Sequence, residues 1–211
     1  MSVRRVVTRS GLHVRGYFPS YKTGRMVSWE SQLERKCVWF LEFSPAVCDY
    51  TEQPLELQID VSGKQHRAIP DFGVRLLDGS RYLIEVKPAE KLRNPLIAER
   101  LQAVGKAAEK KGFKYLVVSE PILHQEPLLS NIRELIHHRP PRSDLMHYKE
   151  LLTRLPREAI SASTAATLVG GMMVLRKMQA LHLIHMDLRI SSSKPQHVIP
   201  YAGGRNEFLL H

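Results

Sequence analysis

Residues 69–87 read Ile69-Pro70-Asp71-Phe72-Gly73-Val74-Arg75-Leu76-Leu77-Asp78-Gly79-Ser80-Arg81-Tyr82-Leu83-Ile84-Glu85-Val86-Lys87. Asp78-Gly79 is a turn signal between two apolar runs, and Tyr82 to Val86 is rich in β-forming residues, so the stretch predicts paired strands. Side chains alternate along a strand, which puts Glu85 and Lys87 on one face and turns Val86 to the other. If the strand carrying Asp71 lies alongside, two carboxylates converge on one point, and hard oxygen donors of that kind suit Mg²⁺, with Mn²⁺ able to take its place. Such an ion polarises a phosphate and lowers the pKa of a bound water, while Lys87 positions that water or neutralises charge developing on phosphorus. The same residues also suit a solvated strand edge with an ordinary turn at Pro70-Asp71. The catalytic reading is favoured because Glu85 and Lys87 interrupt a run that otherwise reads as buried, where lone charges are costly.

Working outward, Leu55, Leu57, Ile59 and Val61 alternate with polar residues up to a turn at Ser62-Gly63-Lys64, which predicts a hairpin whose second arm runs from Ala68 to Leu77. Upstream, Leu33, Cys37, Phe40 and Leu41 share one helical stripe that Pro45 closes. Downstream, Asn94 and Pro95 are a cap and a first-turn residue for a helix with Leu96, Ile97, Leu101, Val104 and Ala108 on one face. Gly112 ends that helix, and Tyr115 to Val118 is a compact strand completing a βαβ crossover. Leu128 to Ile136 gives one more amphipathic helix before Pro140-Pro141, a natural border. Beyond it, Leu145 to Leu155, Thr164 to Val169 with Ser163 as cap, and Met172 to Leu181 predict helices in helix-turn-helix spacing. Leu183 to Ile190 and His197 to Ile199 then suit a wing. The expectation is an α/β fold, a mixed sheet flanked by helices, with a small, mostly helical, winged-helix-like C-terminal domain. Its parts are a basic arm over 1–27, a sheet domain over 28–139, the helical domain over 143–200 and a flexible tail over 201–211.

The chain has 31 Lys and Arg against 21 Asp and Glu, a formal charge of +10. Residues 1–25 hold six of the cations, Arg4, Arg5, Arg9, Arg15, Lys22 and Arg25, and no acid. That balance attracts polyanions and points to nucleic acid as partner. Cys37 and Cys48 form no CxxC pair, so reduced thiols in a cytoplasm are expected. His182 and His185 lack the partners of a zinc site, and there is no HExxH. No apolar stretch approaches the length that crosses a bilayer, so no membrane association is expected.

Lys22-Thr23-Gly24-Arg25, Ser31-Gln32-Leu33-Glu34-Arg35, Leu41-Glu42-Phe43, Gln53-Pro54, Pro70-Asp71-Phe72 and Glu85-Val86-Lys87 occur in that order. Taken together, they resemble the TnsA-type endonuclease subunits of heteromeric, Tn7-like transposases, in the PD-(D/E)XK, restriction-endonuclease-like superfamily. The resemblance implies Asp71 as central metal ligand, Glu85 and Lys87 as the paired strand residues, and Glu34 as the helix acid that completes the metal site. Ser31 to Glu34 equally fits a capping box, and Glu30 is the second candidate for the helix acid. It also implies Mg²⁺-dependent cutting of the 5′, non-transferred strands at transposon ends in a prokaryotic cytoplasm, beside a DDE-type transposase and an AAA+ regulator. In the C-terminal module, Arg176, Lys177 and Arg189 are the candidate phosphate contacts. Two alternatives stand beside this reading: a stand-alone nuclease of restriction or resolvase type, and a catalytically silent DNA-binding assembly factor.

Overall fold

A computed structural model describes residues 14–200 and 207–210. The chain divides into two compact units, Met1–Leu123 with Asn206–His211, and His124–Arg205.

In the first unit, β1 (Gly16–Pro19) and β2 (Met26–Trp29) pair as an antiparallel hairpin. Helix α1 (Gln32–Phe43) follows, then β3 (Val47–Glu52), β4 (Leu57–Val61), β5 (Lys64–Ala68), β6 (Phe72–Leu76) and β7 (Arg81–Val86). A 3₁₀ turn (Lys91–Arg93) leads into α2 (Pro95–Lys110), β8 (Lys114–Val118) and the short α3 (Glu120–Leu123). The central sheet has the order β3-β6-β7-β8, antiparallel except for the β7-β8 pair. A parallel pair needs a crossover, and α2 supplies it. Its start is as the sequence dictates: Pro95 opens the helix and the Asn94 side chain accepts from Leu96 N–H at 3.0 Å. The apolar stripe of α2, through Val104 and Ala108, packs on Leu83 of the sheet and on Leu57 and Ile59 of β4. The unit is α/β with a four-stranded mixed sheet and flanking helices, consistent with a restriction-endonuclease-like fold.

Three expectations for this unit are corrected. Residues 14–27 are no arm: the β1-β2 hairpin buries Phe18, Val27 and Trp29, while residues 1–13 lie outside the described part. The long second hairpin arm is two strands. β5 pairs only with β4, the chain breaks at Ile69-Pro70, and β6 joins β3 and β7 instead. Proline lacks the N–H a ladder needs, so Pro70 is a physical reason for the break. The end of the chain is no flexible tail over 207–210. Phe208, Leu209 and Leu210 are buried, Glu207 O accepts from Ala46 N–H at 3.0 Å, and Leu209 N–H donates to Ser44 Oγ at 3.1 Å.

The second unit contains α4 (Leu128–His137), a 3₁₀ turn (Arg142–Asp144), α5 (Leu145–Leu152), β9 (Ile160–Ser161), α6 (Ala162–Val169), α7 (Met172–Ala180), β10 (Ile184–His185) and β11 (His197–Pro200). The three strands form a small sheet in the order β10-β11-β9. Gly170 stops α6 in the left-handed conformation, φ 100°, and Gly171 leads into α7. The cap of α6 is Ser161, whose Oγ accepts from Thr164 N–H at 3.1 Å, two residues earlier than the sequence suggested. The border also lies earlier than Pro140-Pro141. Helix α4 packs on α7, and buried Asn131 donates from Nδ2 to Leu188 O at 2.8 Å and Ile190 O at 2.9 Å. A buried amide needs such partners, which ties α4 to this unit.

Candidate active site

The site lies where β6 and β7 run out of the shared ladder. Phe72 pairs with Ile84, and one step further Asp71 uses its side chain in place of the backbone: Oδ2 accepts from Val86 N–H at 2.7 Å. The Asp71 carbonyl meanwhile accepts from Gln53 N–H at 2.8 Å. Asp71 is therefore pinned between β3 and β7 from both sides. Close packing helps, since a Cβ on Gly73 would sit 2.7 Å from Pro54 Cβ, leaving only glycine room beside Gln53-Pro54.

Alternation along β7 sends Glu85 to the same face as Lys87, as the sequence predicted. Lys87 Nζ lies 2.6 Å from Glu85 Oε1 and 3.9 Å from Asp71 Oδ2. The side chains are mostly covered, at 30% exposure for Lys87, 23% for Asp71 and 14% for Glu85. Burial, and then the adjacent Glu85 charge, push the Asp71 carboxyl up to about 8, against the partial relief given by Lys87. Burial works against the charged form of Lys87, but Asp71 and Glu85 outweigh it and hold the ammonium above its ordinary value. Once Asp71 ionises, the two carboxylates carry more negative charge than the one lysine compensates.

Glu34 stands at the start of α1 and closes a capping box. Ser31 Oγ accepts from Glu34 N–H at 3.1 Å, and the Glu34 carboxylate takes Ser31 O–H at 3.0 Å and Glu30 N–H at 2.7 Å. The helix acid is thus a cap in this structure. It also belongs to the site electrostatically: burial raises its pKa, and the Lys87 charge acts in the opposite direction. Glu30 is turned toward Gln53, whose Nε2 donates to Glu30 Oε1 at 3.3 Å.

A cleft of about 520 Å³ opens on this face, with Glu34, Glu85 and Lys87 in its lining. Beside it a small pit is walled by Glu30, Glu34, Gln53 and Asp71. Gln53 has φ 44°, in the left-handed region, and its Oε1 is shielded from solvent without a hydrogen-bond partner. Backbone strain and an unpaired buried acceptor are costs that collect at functional sites. Tyr115, level with Leu83 on β8, likewise has a buried, unpartnered hydroxyl, and burial, with the Glu85 and Asp71 charges, raises its pKa. Motif spacing does not single out Tyr115.

Among the described residues, no three His, Cys, Asp or Glu side chains stand together as a ready metal cage. Mg²⁺ does not require one, because it commonly binds through one or two carboxylates and completes its shell with water and phosphate oxygens. Asp71 and Glu85, with surplus negative charge and an orphaned amide oxygen nearby, fit that donor set.

The basic residues divide differently from the expectation. Arg15 lines the cleft. Lys22 and Arg25 are bound within the fold. Lys22 Nζ donates to Ser44 O at 2.6 Å and Leu41 O at 3.4 Å, closing the C-terminal end of α1, and burial pushes its pKa down to about 8 despite the Glu42 charge. Arg25 Nη1 lies 2.7 Å from Glu52 Oε2, and Nη2 donates to Tyr50 O at 3.1 Å. In the second unit Arg176 is 4% exposed and held by Glu134 at 3.6 Å and Gln179 at 3.3 Å, so it is a core residue. Lys177 is half-buried and Arg189 exposed. Arg4, Arg5 and Arg9 fall outside the described residues.

Cys37 and Cys48 are free thiols. Among the described residues, no helix is long and apolar enough to cross a membrane. Residues 44–120 match the family model described as TnsA-like endonuclease N terminal. Asp71, Glu85 and Lys87 lie within that match, and Glu34 lies ahead of it. No curated protein matches the chain.

Proposed function

We propose, from the match of residues 44–120 to the TnsA-like endonuclease N-terminal family model, that the chain is a metal-dependent DNA endonuclease that hydrolyses the 5′, non-transferred strands at transposon ends. The observation that carries the reading is the convergence of Asp71, Glu85 and Lys87 at one end of the two central strands, inside the matched segment, with Lys87 2.6 Å from Glu85.

Asp71 and Glu85 would hold Mg²⁺, or Mn²⁺ in its place, with Glu34 a further carboxylate in the lining of the same cleft. When bound, the ion supplies Lewis-acid polarisation of the phosphate and a water of lowered pKa. Val86 N–H donates to one Asp71 carboxylate oxygen at 2.7 Å, which fixes the carboxylate and leaves its other oxygen for the reaction. Lys87, kept charged by its two acids, orients the attacking water and donates to the phosphate oxygens as negative charge grows on them. Nothing in these residues calls for a covalent intermediate.

Under this reading the partners are double-stranded DNA, a DDE-type transposase and an AAA+ regulator, and the compartment is a prokaryotic cytoplasm. The second unit is the winged-helix-like module for DNA or partner contact, with Lys177 and Arg189 as its candidate phosphate contacts. The reading is tested by strand-resolved cleavage of an end-containing duplex with Mg²⁺ and the cognate transposase. Asp71→Ala and Lys87→Ala are expected to lose the 5′-strand cut by a factor of at least ~10³ while assembly persists. Unchanged cutting by both variants would remove the catalytic assignment and leave a silent assembly factor.

A further inference from the structure

Resting on the endonuclease reading of the cleft, we propose that Lys91 and Arg100, together with Arg15, seat the backbone phosphates that flank the bond to be cut. All three line the same cleft as Glu34, Glu85 and Lys87. Lys87 alone cannot draw a polyanion to this place, because its ammonium is 2.6 Å from Glu85 and also faces Asp71. Without a bound ion, a phosphodiester approaching those carboxylates meets like charge, so metal-independent attraction has to come from cations on the cleft walls.

Lys91 and Arg100 meet that need. Both are exposed, and among the described residues neither forms a salt bridge with an acid. Lys91 opens the 3₁₀ turn Lys91–Arg93, and Arg100 stands on α2, so both ride on elements anchored to the sheet. Arg100 is also held in place: Nη2 donates to Arg67 O of β5 at 2.9 Å. A guanidinium has five N–H donors, so one bond to a carbonyl leaves most of the fork for phosphate oxygens and removes part of the ordering cost of binding. Ile97, Leu101 and Val104 line the same cleft, apolar surface that suits the sugar carbons between successive phosphates.

The test is equilibrium binding of the full chain to a short duplex in the presence of a chelator, so that no cutting contributes, measured over a range of salt concentrations. Each neutralised phosphate contributes about 0.9 to the slope of log K against log salt. Lys91→Gln is expected to lower the slope by about one and Lys91→Gln/Arg100→Gln by about two, while Arg100→Lys keeps it. Lys110→Gln, at the far end of α2, is the control and leaves the slope unchanged. A double variant with the wild-type slope, or an equal fall in the Lys110 control, overturns the phosphate seat and leaves the endonuclease reading standing. Wild-type protein without salt-dependent binding to duplex DNA overturns both.

Discussion

The first unit buries two carboxylates in opposite ways. Glu42 is 0% exposed and surrounded by donors: Ser20 Oγ at 2.7 Å, Tyr50 Oη at 2.8 Å, Tyr21 N–H at 2.8 Å and Lys22 N–H at 3.3 Å. Asp71 receives one backbone N–H and faces a second carboxylate, Glu85, across a shared lysine. A buried charge is stable when its lone pairs are filled and costly when they are not. Glu42 therefore reads as architecture, locking the β1-β2 hairpin onto α1 and β3. Asp71 reads as a site whose missing partner comes from outside the chain.

The largest expected stability effect follows from Glu42. Removing one member of a buried, hydrogen-bonded charge network typically costs about 3–5 kcal/mol, because the remaining groups stay buried and unpaired. Glu42→Ala strands Ser20, Tyr50 and the half-closed cap made by Lys22, so urea unfolding is expected to show a loss of that size. Strand cleavage per folded molecule stays at the wild-type level. A loss under ~1 kcal/mol would show that the hairpin is held by Phe18, Val27 and Trp29 alone.

Asp71 should behave in the reverse sense. Its folded-state pKa, about 8, is above the ~3.9 expected when unfolded. Below pH ~4 both states hold the proton and the site costs nothing. Between pH ~4 and ~8 the folded state retains a proton that the unfolded state has lost, so stability falls as pH rises, and the cost is complete above pH ~8. Asp71→Asn keeps an acceptor for Val86 N–H and removes the charge. In chelator it is expected to be more stable than wild type by about 2 kcal/mol at pH 8.5. That is less than the full shift implies, since solvent reaches a side chain that is 23% exposed. The gain should vanish near pH 4. A difference between the two proteins that does not change with pH would place the strain elsewhere.

The contrast between the two carboxylates also marks how far the sequence is legible. Periodicity revealed α2, β7 and β8, because a capped apolar stripe and a compact β-rich run are local signals. Glu85 and Lys87 were visible through strand alternation alone. Strand β3 was not, since Val47-Cys48-Asp49-Tyr50-Thr51-Glu52 has a register shift between Val47 and Asp49, which spoils alternation at an edge of the sheet. Glu42 and Lys22 look like any solvated charges in the sequence, and only the return of the β1-β2 hairpin onto α1 buries them. The same is true of Arg176. Charge type is written in the sequence, but burial depends on contacts between distant segments, so Lys22 and Arg25, which looked like DNA contacts, hold the fold. Lys91 and Arg100, which no motif singled out, line the cleft.

Glu34 lies between the two cases, and the smallest effects in this set separate its roles. As a cap it needs only an acceptor at the third helical position, which glutamine also supplies, so Glu34→Gln is expected to change stability by less than ~0.5 kcal/mol. Ser31→Ala removes the other half of the box and should cost about 1 kcal/mol, with cleavage unaltered once the protein is folded. If Glu34 also completes the metal site, Glu34→Gln removes a charged donor and 5′-strand cutting falls by a factor of ~10² or more, with partial recovery at high Mg²⁺ or Mn²⁺ concentration. Thermal unfolding and strand-resolved cleavage of the two variants, measured together, decide the matter. Full activity in Glu34→Gln would make the glutamate a cap and nothing else, and Asp71 and Glu85 would then be the two carboxylates that serve the ion.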